Sequence, residues 1–130
     1  MKKAILLSMM TMALLAGCKK DKPENEVSLK GKWIVESTTI KEYLNGRLED
    51  TFTEPGDGTT IDFQENGQAV LTVPGAGVES LPYTIKPDSK LEMDGDLYEI
   101  RELTRTTVKL FTRYDYATGE YDEVLISLKR

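Results

Sequence analysis

Residues 59–73 read Thr-Thr-Ile-Asp-Phe-Gln-Glu-Asn-Gly-Gln-Ala-Val-Leu-Thr-Val, and their periodicity decides the fold. Ile61 and Phe63 fall on one side of an extended chain, with Thr60, Asp62 and Gln64 on the other. Glu65-Asn66-Gly67 turns the chain, and Gln68 to Val73 brings it back. A period of two on both sides of a short turn is the mark of a β-hairpin, because successive side chains of a strand point to opposite faces. No helical stripe at i, i+3, i+4, i+7 competes with it.

The same grammar extends in both directions. Upstream, Gly31 to Tyr43 forms a strand with Trp33 and Val35 on one face, Asn45-Gly46 supplies a tight turn, and Arg47 to Thr53 returns. Asn and Gly tolerate the positive φ values that two-residue hairpins require. Residues 54–58 and 74–80 are loops. Downstream, Leu81, Tyr83 and Ile85 alternate with polar residues, and Pro87-Asp88-Ser89 turns into Lys90 to Met93. Asp94-Gly95 makes another tight hairpin into Leu97 to Leu103, and Thr107 to Tyr116 pairs with Glu120 to Lys129 across Ala117-Thr118-Gly119. Parallel crossovers need about a dozen residues or more, so these short connections describe an antiparallel meander of about nine strands. An open meander leaves two exposed edges, and closure removes both. The expectation is therefore all-β: an antiparallel up-and-down barrel of about eight strands over 29–130, with its first and last strands paired.

The N-terminus carries a different signal. Lys2 and Lys3 precede an apolar stretch from Ala4 to Ala16, which ends in Leu15-Ala16-Gly17-Cys18. The stretch fits a secretory h-region and falls short of the ~20 residues that span a bilayer. The Leu-Ala-Gly-Cys ending resembles a bacterial lipobox. That resemblance implies cleavage of a signal peptide at 1–17 and acylation of Cys18 by chains such as palmitate. Residues 18–28, Cys-Lys-Lys-Asp-Lys-Pro-Glu-Asn-Glu-Val-Ser, have little to bury and read as a flexible tether. Lys19 rather than Asp follows the Cys, which by resemblance to lipoprotein sorting points to the outer membrane, with the facing side open.

The first strand opens with Gly31-Lys32-Trp33, which looks like the G-x-W signature of lipocalins and their relatives. The order of the later motifs, Ile61 to Gly67, Tyr83-x-Ile85, Leu91-x-Met93 and Tyr98-x-Ile100, resembles the small lipocalin-like domain of Bacteroidota lipoproteins. The resemblance implies that Trp33, next to Gly31, closes one barrel end against a basic side chain of the last strand, Lys129 or Arg130. The chain departs from true lipocalins in lacking their long C-terminal helix.

Composition narrows the function. The 130 residues include no His and one Cys, with a net charge of -5. Loss of Lys2 and Lys3 with the leader deepens that negative charge. The commonest general base and metal ligand is absent, and one Cys makes neither an internal disulfide nor a cysteine-rich zinc site. The acidic balance argues against nucleic-acid partners. Asp94-Gly95-Asp96 lacks the further ligands of a calcium loop and reads as a turn. No catalytic constellation emerges, so the expectation is a non-enzyme without metal or cofactor. Phe63, Tyr83 and Tyr98 face the barrel interior and are the candidates to touch a small apolar ligand. An eight-stranded barrel either fills with side chains or holds one such ligand. Tyr114, Tyr116 and Tyr121 gather at the last hairpin, as cross-strand pairs or a stacking platform. Two functions remain: an envelope protein, anchored in the membrane by acyl chains, that carries a small apolar molecule; or a module whose loops bind another envelope protein, such as a hydrolase inhibitor or accessory protein.

Overall fold

The computed structural model describes residues 27–130. The leader at 1–17, Cys18 and most of the tether lie outside the described residues. Nine strands run in order: β1 (Gly31–Leu44), β2 (Arg47–Pro55), β3 (Thr60–Phe63), β4 (Gln68–Val73), β5 (Gly77–Lys86), β6 (Lys90–Met93), β7 (Asp96–Leu103), β8 (Thr107–Ala117) and β9 (Glu120–Lys129). No helix occurs among the described residues. The sheet order is β2-β1-β3-β4-β5-β6-β7-β8-β9, every pairing is antiparallel, and β1 also pairs with β9. The result is a closed eight-strand barrel, lipocalin-like in architecture, with one extra strand.

Closure comes from the first and last strands, with Val35 opposite Leu128 and Thr38 opposite Ile126. The tight turns form as their residue types dictate. Asn45 and Gly46 have φ of 53° and 74°, and Asp94 and Gly95 have 53° and 85°, the positive values that let a two-residue loop match the twist of its strands.

The extra strand is β2. Sequence order would place it in the wall, beside β1. Instead β3 takes the wall position next to Gly31–Ile34, and β2 pairs with the upper half of β1, from Ser37 onward. A bulge between Val35 and Ser37 marks the division, since an extra residue in one strand bends it and re-aims the residues beyond. The loop after β2 docks on this bulge. Gly56 N–H donates to the Glu36 carbonyl at 3.1 Å, and Val35 N–H donates to the Thr59 carbonyl at 2.8 Å. A Cβ at position 56 would lie 1.6 Å from the Val35 carbonyl oxygen, so only glycine permits the approach. Upper β1, β2, upper β9 and upper β8 then form a four-stranded extension beyond the barrel wall, because β8 loses β7 as a partner after Phe111. The two hairpin tips of the extension are joined by Gly46 N–H donating to the Gly119 carbonyl at 3.0 Å.

The core follows the period-two pattern. Trp33, Phe63, Ala69, Leu91, Val108, Leu110 and Leu128 are buried along the inner face. Ile85 shares that face opposite Leu91 but is 46% exposed. It sits past the last core layer, beside the segment Val27 to Lys30 that crosses the lower end.

Candidate functional site

The two ends of the barrel are built differently. At the lower end, near residues 31 and 130, Trp33 is fully buried and its Nε1 donates to the Leu29 carbonyl at 2.7 Å. The guanidinium of Arg130 lies 3.9 Å from the centroid of the Trp33 ring. Its Nε donates to the Arg105 carbonyl at 2.9 Å, Nη1 to the Lys30 carbonyl at 3.0 Å and Nη2 to the Ser28 carbonyl at 3.3 Å. One side chain thus stitches the last strand to the 104–106 turn and to the chain that precedes β1. Gly31 leaves space for it: φ is 108°, and a Cβ there would stand 3.0 Å from Nη1. Of the two basic residues the sequence offers, Arg130 takes the place over the indole, and Lys129 instead pairs with Glu36 at 3.7 Å on the outside.

The layer above the tryptophan is also packed. Phe63 and Tyr83 meet edge to face with centroids 5.1 Å apart, a favoured aromatic geometry. The Tyr83 hydroxyl donates to the Gln64 carbonyl. Burial, reinforced by the charges of Asp62 and Glu65, holds the Tyr83 phenol above its ordinary pKa. Phe63 and Tyr83 are not part of the lining of the cavity above them.

Above them the side chains shrink. Val35 and Thr38 of β1, Leu71 of β4 and Ile126 of β9 occupy inner positions above Trp33 and Phe63, with the small Ala69 directly opposite Phe63. They leave a cavity of about 520 Å³, completed by Ile61, Leu81, Met93 and Tyr98. That volume is within the ~300–1,000 Å³ of small-molecule sites. Of the three aromatic candidates, the structure brings only Tyr98 to this cavity. Its phenol is held far above the ordinary value, first by burial, then by a hydrogen bond with Tyr114 and by the charges of Asp96 and Asp94. It stays a neutral hydroxyl at any physiological pH.

The mouth of the cavity is formed by the loop after β2 and by Pro74, with Glu54 and Asp57 as the charged side chains that line it. By sequence pattern, residues 54–58 are only a connector. The signal that marks them as rim is the close approach of Gly56 to β1, which no local pattern reveals.

The inner face of the four-stranded extension continues from the cavity wall. Cross-strand pairing sets Phe52, Ile40 and Val124 in one row, and Asp50, Glu42 and Asp122 in the next. The outer face carries a different set. Tyr43 stacks on Tyr121 at 4.6 Å, with Arg113 3.6 Å above Tyr121, and Arg101 lies 3.5 Å over Phe111. The three tyrosines of the last hairpin therefore divide: Tyr121 joins Tyr43, which no sequence motif singles out. Tyr116 donates to Asp122 at 2.9 Å, and Tyr114 to Asp96 at 3.3 Å. Among the described residues no group of three or more His, Cys, Asp or Glu is arranged to hold a metal ion.

No family model, curated protein or solved structure matches the chain.

Proposed function

We propose that this protein is a lipid-anchored lipocalin-like barrel of the bacterial cell envelope, of the Bacteroidota lipoprotein type, that binds a small apolar molecule in its upper cavity. The observation that carries the binding reading is the contrast between the ends. The lower end is sealed by Trp33 and Arg130, and the upper half holds a cavity of about 520 Å³ walled by aliphatic side chains, Met93 and Tyr98. Burying an apolar ligand there gains about 25 cal/mol for each Å² of apolar surface removed from water. The side chains already in place lose little further freedom, which favours binding.

The anchor rests on the Leu15-Ala16-Gly17-Cys18 ending and the lysines after it. Two acyl chains give a stable hold where one is marginal, and Lys19, Lys20 and Lys22 add roughly 1 kcal/mol each near an anionic surface. The described chain begins at the plugged end of the barrel, opposite the cavity mouth. Expression with the leader, followed by detergent partition, tests the anchor: wild type enters the detergent phase and Cys18→Ser does not. Native mass spectrometry of the chain extracted from its own envelope tests the cargo. A retained apolar molecule of fixed mass supports the carrier reading, and a protein free of ligand argues against it.

A second reading has its own support. Strand β2 is exposed along all nine residues, on the free edge of the extension, which is the geometry a partner strand uses for edge pairing. Such an envelope protein partner would displace nothing in the cavity, so pull-down of one partner by a ligand-free protein favours this reading over the first.

A further inference from the structure

Resting on the carrier reading, we infer that the cavity selects molecules with an apolar body and a cationic head, and disfavours fatty-acid-like anions. Among the described residues, the charged side chains that line the cavity are Glu54 and Asp57, both at the mouth, and the lining holds no Lys or Arg. The wall below them is aliphatic apart from Thr38, Thr59 and Tyr98. An amphiphile seated with its tail in that wall therefore leaves its head group between two carboxylates.

The surface beyond the mouth has the same sign. Glu54 stands opposite Thr38, a cavity residue; two positions further along the same face come Phe52, Ile40 and Val124, and two further come Asp50, Glu42 and Asp122. Like charges directly opposite on neighbouring strands are destabilising, so this row gains from a nearby cation. Arg47 stands opposite Leu44 at the hairpin tip, past the acidic row, and Lys41 lies on the outer face with Arg101 and Phe111; the other basic residues of the neighbourhood are turned elsewhere. Arg113 is on the outer face, over Tyr121 and paired with Asp115 at 2.9 Å. Arg101 covers Phe111 and pairs with Glu99, also outside. Arg130 and Lys129 belong to the plugged end. Between the Asp50, Glu42 and Asp122 row and the mouth, the field is negative, which attracts a cation and repels an anion.

Met93 supplies the reporter. It lines the cavity, and the remaining methionines lie within residues 1–12, so the methyl resonance of Met93 follows the cavity alone. The full chain, labelled at its methionine methyl carbons, is titrated at low salt with decyltrimethylammonium, decanol and decanoate, each below its aggregation limit. The expected result is saturable shifting of Met93 with affinity falling in the order ammonium, alcohol, carboxylate, the outer two separated by about tenfold, since exposed charges act modestly and add. High salt narrows the gap by screening. Glu54→Gln with Asp57→Asn weakens the ammonium and strengthens the carboxylate. Equal or tighter binding of decanoate, or a gap that the double substitution leaves unchanged, overturns the charge inference while the cavity reading stands. No response of Met93 to any of the three overturns both.

Discussion

The guanidinium of Arg130, the last residue, lies 3.9 Å from the ring centroid of Trp33 near the start of the first strand. The two ends of the barrel sequence are locked together by one stacked pair. A cation over a tryptophan face contributes about 0.5–2 kcal/mol depending on desolvation, and three hydrogen bonds to backbone carbonyls hold the cation in place. Trp33→Ala removes the whole plug and is expected to cost about 3–5 kcal/mol. That is a large share of the ~5–15 kcal/mol that holds a small domain folded. Arg130→Ala is expected to cost about 1–3 kcal/mol, through the stack and the carbonyls it leaves without donors. Urea unfolding followed by circular dichroism measures both. The emission of Trp33 should be blue-shifted and poorly quenched in wild type, and an Arg130→Ala protein as stable as wild type would mean the plug does not depend on the cation.

Tyr98 makes stability sensitive to alkali. Its phenol is held far above the ordinary value near 10, mainly by burial. The unfolded chain ionises at the ordinary value while the native hydroxyl keeps its proton, so above pH ~10 the native state binds more protons and stability falls as pH rises. Below that pH the contribution is fully present. Unfolding measured between pH 9 and about 11.5 should show this decline, and Tyr98→Phe should make the slope shallower by up to one proton. An unchanged slope would place the alkaline sensitivity elsewhere.

Gly56 is the point where the rim meets the wall. A Cβ there would fall 1.6 Å from the Val35 carbonyl oxygen, a backbone atom held within the barrel. Gly56→Ala must therefore displace the loop after β2 or distort β1. The expected cost is about 1–3 kcal/mol, as for other overpacking substitutions, together with faster amide hydrogen exchange at Val35 and Gly56, whose N–H groups donate across this junction. Gly75→Ala adds backbone strain without a clash, since its φ is 79° and a Cβ there meets nothing within 4 Å, so hydrogen exchange at Val35 and Gly56 should stay unchanged in it.

The parts of this fold that are legible in the sequence are those set by local chemistry. Ile61 and Phe63 announce their face because a strand has a period of two, and Asn45-Gly46 and Asp94-Gly95 announce their turns because both tolerate positive φ. The pairing of first and last strands follows from a topological demand, the removal of edges, and Val35 opposite Leu128 meets it. The choice of Arg130 over Lys129 follows from alternation: Leu128 faces inward, Lys129 outward to Glu36, and Arg130 inward again over Trp33. The departure of β2 from the wall was hidden: it turns on a bulge at Glu36 and a close approach at Gly56, which join residues about twenty positions apart. The cavity was hidden too. Tyr98 and Phe63 look alike as inward aromatics, yet one lines the space and the other fills the layer below, and only the sizes of their cross-barrel neighbours decide which.

Leu71→Trp tests the upper cavity as a binding site by filling it. Leu71 stands on the inner face of β4 between Ala69 and Val73 and lines the cavity with both. An indole at that position has space to occupy if the volume of about 520 Å³ is open in solution. It then excludes any ligand while disturbing little, and binding of decanol, read at the Met93 methyl, is expected to weaken by about tenfold or more at a stability cost below ~1.5 kcal/mol. Val70→Trp is the matched control. Val70 is the next residue along β4, so its side chain points to the opposite face of the sheet, and binding there should be unchanged. If the upper barrel is instead collapsed onto its own side chains, the added indole has nowhere to go. Leu71→Trp then behaves as overpacking of a filled core, with a loss of about 1–3 kcal/mol and no ligand response in wild type to lose.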